Sequence, residues 1–435
     1  MESGSQRGTA GAWYAVVLMG MLYIVAFVDR VILALLIQPL RAEFAISDTQ
    51  ISLLIGFTFA LFYALVGLPI GRLADRINRH RLILASTVVW AACTFGSGFA
   101  TSFWMLCLLR IGVAVGEAAL SPSAISMIGD LFPPARRGAA TSLYMSLGAL
   151  GATGGYILGG LMVGAIGQAE SVAVPLIGAV KPWQFTFILV SLPAVALGLL
   201  LLFTVREPAR PAAAAEAPPS RALAWAAPMW RPLIILFFAG SIGQTMVHGA
   251  GTWAPTLLVR DYGWTIGAAG VRVGLITMVC GVGGMMLWPI FADRWARGGR
   301  ADALPLTLAI GVGGGAALIA ACAFAPGALA FQILYGGAMF MLMGTGVLLM
   351  VAIQAFAPSS MRGELMALCL LLTGLIALGV GPTLVPLAGE WIGAADGELK
   401  PGYVAIALLT GPLAAGLALW CRRGLVGLAR AGDTL

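Results

Sequence analysis

Gly71-Arg72-Leu73-Ala74-Asp75-Arg76-Ile77-Asn78-Arg79 has a counterpart 218 residues later, Pro289-Ile290-Phe291-Ala292-Asp293-Arg294-Trp295-Ala296-Arg297. Ala, Asp, Arg and the final Arg stay in register, and the offset is half of a 435-residue chain. Each copy closes a long apolar run. A second echo pairs Arg137-Gly138 with Arg362-Gly363, at an offset of 225. Basic turns duplicated at equivalent places predict two structural repeats related by a pseudo-two-fold, with a site between them near the middle of a membrane.

The rest of the chain agrees. Hydrophobic residues make up 60% and charged residues 10%, where a soluble domain carries roughly 25% charged. A soluble domain, a nucleic-acid binder and a disordered scaffold are excluded. Apolar runs long enough to span a bilayer fall at 13–38, 51–70, 82–100, 103–129, 139–167 and 183–204, then at 232–258, 266–291, 303–323, 326–354, 365–393 and 403–421. The expected fold is an all-α membrane protein of twelve transmembrane helices in two pseudo-two-fold-related six-helix bundles, residues 1–204 and 232–435. Residues 205–231, with Pro208, Pro211, Pro218, Pro219 and an alanine run, read as a cytoplasmic linker.

Placing both termini in the cytoplasm puts eighteen of the 25 Lys and Arg residues in cytoplasmic segments and four outside, as the positive-inside rule requires. Arginine occurs 23 times against two lysines, with abundant alanine and glycine, a usage that suggests a bacterial inner membrane. Neither lysine ends a phosphate-binding loop, so no ATP site is expected. The six cysteines lack CxxC spacing and read as buried apolar residues. Two distant histidines make no metal site, and no catalytic constellation is visible. The chain is expected to need no cofactor, with protons as the coupling ion. Its expected partners are the bilayer and an amphipathic small-molecule or lipid substrate, with the protein itself a monomer and not an enzyme.

The Gly71–Arg81 stretch resembles the signature of the major facilitator superfamily, with Asn78 where many members have glycine. That resemblance implies a gate made of Gly71, Asp75, Arg76 and Arg79, with Arg137, Asp293 and Arg294 at the related turns. Three further patterns narrow the resemblance to the Spinster family of lipid transporters. They are Phe27-Val28-Asp29-Arg30, the Arg110–Pro122 run containing Gly116-Glu117-Ala118, and Asp130-Leu131-Phe132-Pro133 before Arg136-Arg137. The organic anion:cation symporters share part of this pattern. In the fifth span Gly151, Gly155, Gly159 and Gly160 resemble the superfamily's antiporter motif, except that Tyr156 replaces its proline. Small-residue spacing of this kind by itself predicts close helix packing.

Charge deep in a bilayer needs a partner or a watery cavity. Asp29, Arg30, Arg110 and Glu117 lie well inside the first and fourth spans, within reach of one polar layer. Arg110 and Glu117 are seven residues apart, hence on nearly one helix face, while Asp29 and Arg30 diverge by about 100°. These residues suggest that Asp29 and Glu117 exchange protons while Arg30 changes partners. A static ion network is the alternative, with Arg110 the most structural member. His248 is the repeat counterpart of Arg30, and Tyr335 that of Arg110. The expected function is secondary transport of a lysolipid- or sphingoid-like solute by alternating access. A proton-coupled organic-anion symporter or a multidrug exporter would use similar residues.

Overall fold

A computed structural model of the chain describes residues 2–167, 169–208, 231–357 and 362–432. Most of the linker, 209–230, lies outside the described residues, as do the side chains of Asp75 and Arg362. The first span, α1 (Glu2–Leu35), ends one turn before Pro39, whose missing N–H leaves a helical carbonyl without a donor, and α2 (Ile37–Phe44) follows. The second span is α3 (Asp48–Leu53), a π-helical turn at Leu54–Thr58 and α4 (Phe59–Arg76). Next come α5 (Arg79–Ser97), α6 (Phe103–Glu117), α7 (Leu120–Leu131) and α8 (Pro134–Ile166). A hairpin of β1 (Val172–Val174) and β2 (Gly178–Val180) leads to α9 (Pro182–Thr204).

Past the linker lie α10 (Arg231–Tyr262) and α11 (Ile266–Ile276), then a π turn at Thr277–Gly281 and α12 (Val282–Arg297). They are followed by α13 (Ala303–Cys322), α14 (Ala328–Phe356), α15 (Arg362–Thr373), a π turn at Gly374–Val380, α16 (Gly381–Trp391) and α17 (Lys400–Gly432). Among the described residues, eleven helical runs have the length and hydropathy to cross a membrane. The third expected span, α5, falls outside that set. Its first turn holds Arg79, His80 and Arg81, which dilute its hydropathy, yet its 19 residues extend about 28 Å, nearly the hydrocarbon thickness. Asn78, the departure from the superfamily pattern, caps this helix by accepting from the Arg81 N–H at 2.8 Å.

Two compact units emerge, and their borders cut across the sequence repeats. One comprises Met1–Ile46, Thr58–Glu216 and Thr265–Gly274; the other comprises Ser47–Phe57, Ala217–Trp264 and Leu275–Leu435. The border within the second span falls inside its π turn, and the border within the eighth falls three residues before its own.

In the first unit, glycines set the helix spacing. A Cβ at Gly151 would sit 2.7 Å from the Ile24 Cα, and one at Gly155 3.4 Å from the Val28 Cα. Thus α8 lies directly on the face of α1 that precedes Asp29 and Arg30. Farther along, Gly160 and Gly164 face Gly267 and Gly270 of α11, so one stripe seats two helices, as the spacing suggests. Gly116 does the same for α6 on α5, where a Cβ would meet the Trp90 backbone nitrogen and Cβ at 2.8 Å. Gly116→Ala is therefore expected to destabilise the protein by about 1–3 kcal/mol, through overpacking against backbone that cannot yield. Thermal unfolding in detergent measures this, and a wild-type midpoint would refute it.

In the second unit, α10 packs against α14, α16 and α17. The Trp253 indole N–H donates to the Pro382 carbonyl at 2.7 Å, and the Gln244 amide donates to the Leu342 carbonyl and the Thr345 hydroxyl. Ser47 caps α3 in a capping box with Gln50. The next residue, Asp48, is fully buried and takes both Arg260 terminal nitrogens, at 2.5 and 2.8 Å.

Candidate coupling and substrate site

The four intramembrane charges of the first unit resolve into two ion pairs. Arg30 Nε donates to Glu117 Oε2 at 2.5 Å, and Arg110 Nη1 donates to Asp29 Oδ1 at 2.9 Å. Adjacent residues on α1 thus serve different partners, as their angular separation demands. The pairs are not equivalent. Both members of Asp29–Arg110 are essentially inaccessible, whereas the Arg30 side chain keeps 16% exposure. Asp29 gains a second bond from the Thr94 hydroxyl on α5. This pair therefore ties α1, α5 and α6 together.

Glu117 is differently placed. It is the last residue of α6, just before the break at Ala118 and Ala119. Pro122, lacking an N–H, leaves the Ala118 carbonyl without a helical donor and so favours the break there. The side chain is buried, Oε2 is taken by Arg30, and Oε1 has no hydrogen-bond partner among the described residues. A buried carboxylate oxygen without a donor is costly as an anion and is a natural site for a proton.

Three rings surround the Arg30 guanidinium. Its central carbon lies 5.0 Å from the Phe27 ring centroid, 4.8 Å from Phe59 and 4.9 Å from Tyr63. Cation–π contacts are worth about 0.5–2 kcal/mol each, so the arginine can stay charged while its carboxylate partner changes. Beside this cage, Tyr23 stacks on Tyr144 at 5.0 Å, and the Tyr144 hydroxyl lies 3.1 Å from that of Ser121. The sequence reading missed these aromatics. Their signal was available as i, i+4 pairs, Tyr23–Phe27 and Phe59–Tyr63, whose rings do meet.

His248 and Tyr335 belong to the second unit. His248 is half-buried on α10 beside Gly381, with no hydrogen-bond partner among the described residues. Tyr335, buried on α14, shares a 3.2 Å hydrogen bond with Thr277, the first residue of a π turn.

The expected gating residues are dispersed. Arg79 is buried and reaches Asp130 at 2.5 Å, Glu207 at 2.8 Å and the Ser126 hydroxyl at 3.0 Å. It thus joins α5 and α7 to the chain just beyond α9, so residues expected to begin a loose linker are pinned. Gly71 has open space where a Cβ would stand. Arg76, Asp293 and Arg294 are exposed, and Arg137 donates to the Phe132 carbonyl at 3.0 Å. Among the described residues no group of His, Cys, Asp and Glu could hold a metal ion.

Comparison with known proteins gives a consistent family. The Major Facilitator Superfamily model matches residues 19–382. An MFS-type efflux pump of Mycolicibacterium smegmatis is 28% identical over 300 residues, covering 68% of this chain and 66% of that protein. A sphingosine-1-phosphate transporter of Danio rerio is 27% identical over 315 residues, covering 67% of this chain and 59% of its own. The matched stretch is thus less than two thirds of the length of either relative. In fold, the chain is similar to the crystal structure of a bacterial homologue of the human lysosomal transporter Spinster. The TM-score is 0.76, with 97% of both chains covered at 23% identity.

Proposed function

The chain belongs to the major facilitator superfamily of membrane transporters, and from that premise we propose that it moves an amphipathic, lipid-like solute by alternating access, with protons as the coupling ion. The observation that carries this reading is the Glu117 carboxylate, bonded to Arg30 through one oxygen and without a partner at the other. A proton arriving at Glu117 cancels the charge that holds Arg30. The guanidinium, still cradled by Phe27, Phe59 and Tyr63, is then free to take an anionic headgroup. When the headgroup leaves, Arg30 returns and the proton is expelled. Proton and solute occupancy thereby become linked, as coupled transport requires.

A lipid-like solute fits a cation enclosed by rings, and the resemblance to Spinster and to a sphingosine-1-phosphate transporter points the same way. Asp29 and Arg110 support this site by holding α1 against α5 and α6. His248 and Tyr335 are candidates for solute contact from the second repeat, and Asp75, Asp293 and their neighbouring arginines for gating. The efflux-pump relative favours a second reading, export of amphipathic drugs through the same residues.

Purified protein in proteoliposomes separates the readings. Lysophospholipid or sphingoid movement that accelerates under an imposed pH gradient is expected, with small organic anions not competing. Competition by organic anions, or wild-type-like gradient-dependent transport in Glu117→Gln, Asp29→Asn and Arg30→Ala alike, would overturn the proposal.

A further inference from the structure

On the first unit, between α5 and α9, lies a groove of about 410 Å³. Leu84, Val88 and Phe95 line one wall, and Leu192, Val195 and Leu199 the other. Val88, Leu192, Val195 and Leu199 are each 46–59% exposed on helices that span the membrane by length, so the groove opens toward lipid. On its floor Gly198 of α9 faces Thr87 of α5. The two hydroxyls in the lining offer a ligand no hydrogen-bond donor. Thr87 donates to the Ile83 carbonyl at 2.8 Å, and Ser191 to the Ile188 carbonyl at 2.7 Å. From Leu84 to Phe95 the groove runs about 16 Å, a little over half the hydrocarbon thickness. Such a slot suits one acyl chain lying along the helices.

The charge at one end of the groove identifies the rest of the ligand. Arg81 precedes Leu84 by three residues and lies on the same face of α5 as Leu84, Val88 and Phe95. Arg206 follows the last residue of α9 by two. The two segments are fastened side by side, because Glu207 accepts from the His80 backbone N–H at 2.8 Å and the His80 ring meets the Leu201 carbonyl at 3.0 Å. Each arginine is therefore the chain neighbour of a residue in this clasp. Both are exposed, and neither forms an ion pair among the described residues. The nearby acids Asp130 and Glu207 are already occupied by Arg79.

We infer that this groove is a binding site for an anionic phospholipid of the leaflet on the side of the termini, its acyl chain between α5 and α9 and its phosphate between Arg81 and Arg206. The site is separate from the Arg30–Glu117 pair and does not rest on the transport reading. Two arginines near the surface favour anionic over zwitterionic lipid by roughly tenfold or more.

Native mass spectrometry of the full chain from mixed phosphatidylglycerol and phosphatidylcholine nanodiscs provides the test. The wild type is expected to retain phosphatidylglycerol preferentially. Arg81→Gln with Arg206→Gln should cut that preference about tenfold, and Val88→Trp, which fills the groove from its open side, should lower retention of both lipids. Matching thermal unfolding midpoints confirm that the variants are folded. Equal retention of the two lipids by the wild type, or an undiminished preference in the arginine variant, would overturn the site. Retention unaffected by Val88→Trp, or full displacement by soluble glycerol phosphate, would overturn the acyl-chain groove.

Discussion

Glu117→Gln is expected to bring pH-gradient-driven transport down to the rate seen without a gradient, while exchange of labelled for unlabelled solute at equal pH continues. Coupling between two ligands of one carrier is typically 1–3 kcal/mol, so the loss should be about 5- to 150-fold. The substitution is nearly isosteric, and the glutamine carbonyl can still accept from Arg30 Nε, so geometry is preserved while the exchangeable proton is removed. Arg30 does lose a countercharge, but its 16% exposure and three surrounding rings limit that cost. Surviving exchange would show that the variant is folded and binds solute. A Glu117→Gln protein that still responds fully to the gradient would remove Glu117 from the coupling step.

Arg110→Leu should act on stability instead. Asp29 and Arg110 are both inaccessible, and the Thr94 hydroxyl donates to the second Asp29 oxygen. Removing the cation leaves an aspartate buried without a countercharge, and breaking such a pair costs about 3–5 kcal/mol. The unfolding midpoint in detergent should fall sharply. Adding Asp29→Asn should recover part of the loss, because the stranded charge is then gone and the two effects are not additive. If Arg110→Leu melts like the wild type, the pair is not what joins α1, α5 and α6. The two variants together assign different roles to the two ion pairs, in line with the sequence expectation that Arg110 is the more structural arginine.

The charges were legible because they stand alone. In a chain where only 10% of residues are charged, Asp29, Arg30, Arg110 and Glu117 cannot be mistaken for solvated surface. Their partition into two pairs was not legible. It depends on how α1 and α6 are seated in the bundle, where Gly116 fixes α6 against Trp90 of α5 and Gly151 fixes α8 against Ile24 of α1 through backbone contact. The aromatic cage was hidden for the opposite reason, since Phe27, Phe59 and Tyr63 look like any apolar filling of a span. Asn78 reads as a flaw in a motif until its side chain is seen capping α5. Glu207, among prolines and alanines, carries no mark of the Arg79 clasp it completes. The spans themselves were plain, because a bilayer demands twenty apolar residues wherever it is crossed.

The π turn at Leu54–Thr58 leaves no trace in hydropathy, yet it decides what stands over Arg30. A π turn accommodates one residue more than the α-helix around it, and one residue is worth about 100° of rotation. Phe59 and Tyr63 begin immediately after it. Excising a single residue from Leu54–Thr58 would let the second span run as unbroken α-helix and rotate Phe59 and Tyr63 by about 100° relative to the residues before the turn, although every side chain near Arg30 kept its identity. Likeness at this site must accordingly be judged by counting residues through the turn as well as by matching letters on either side of it.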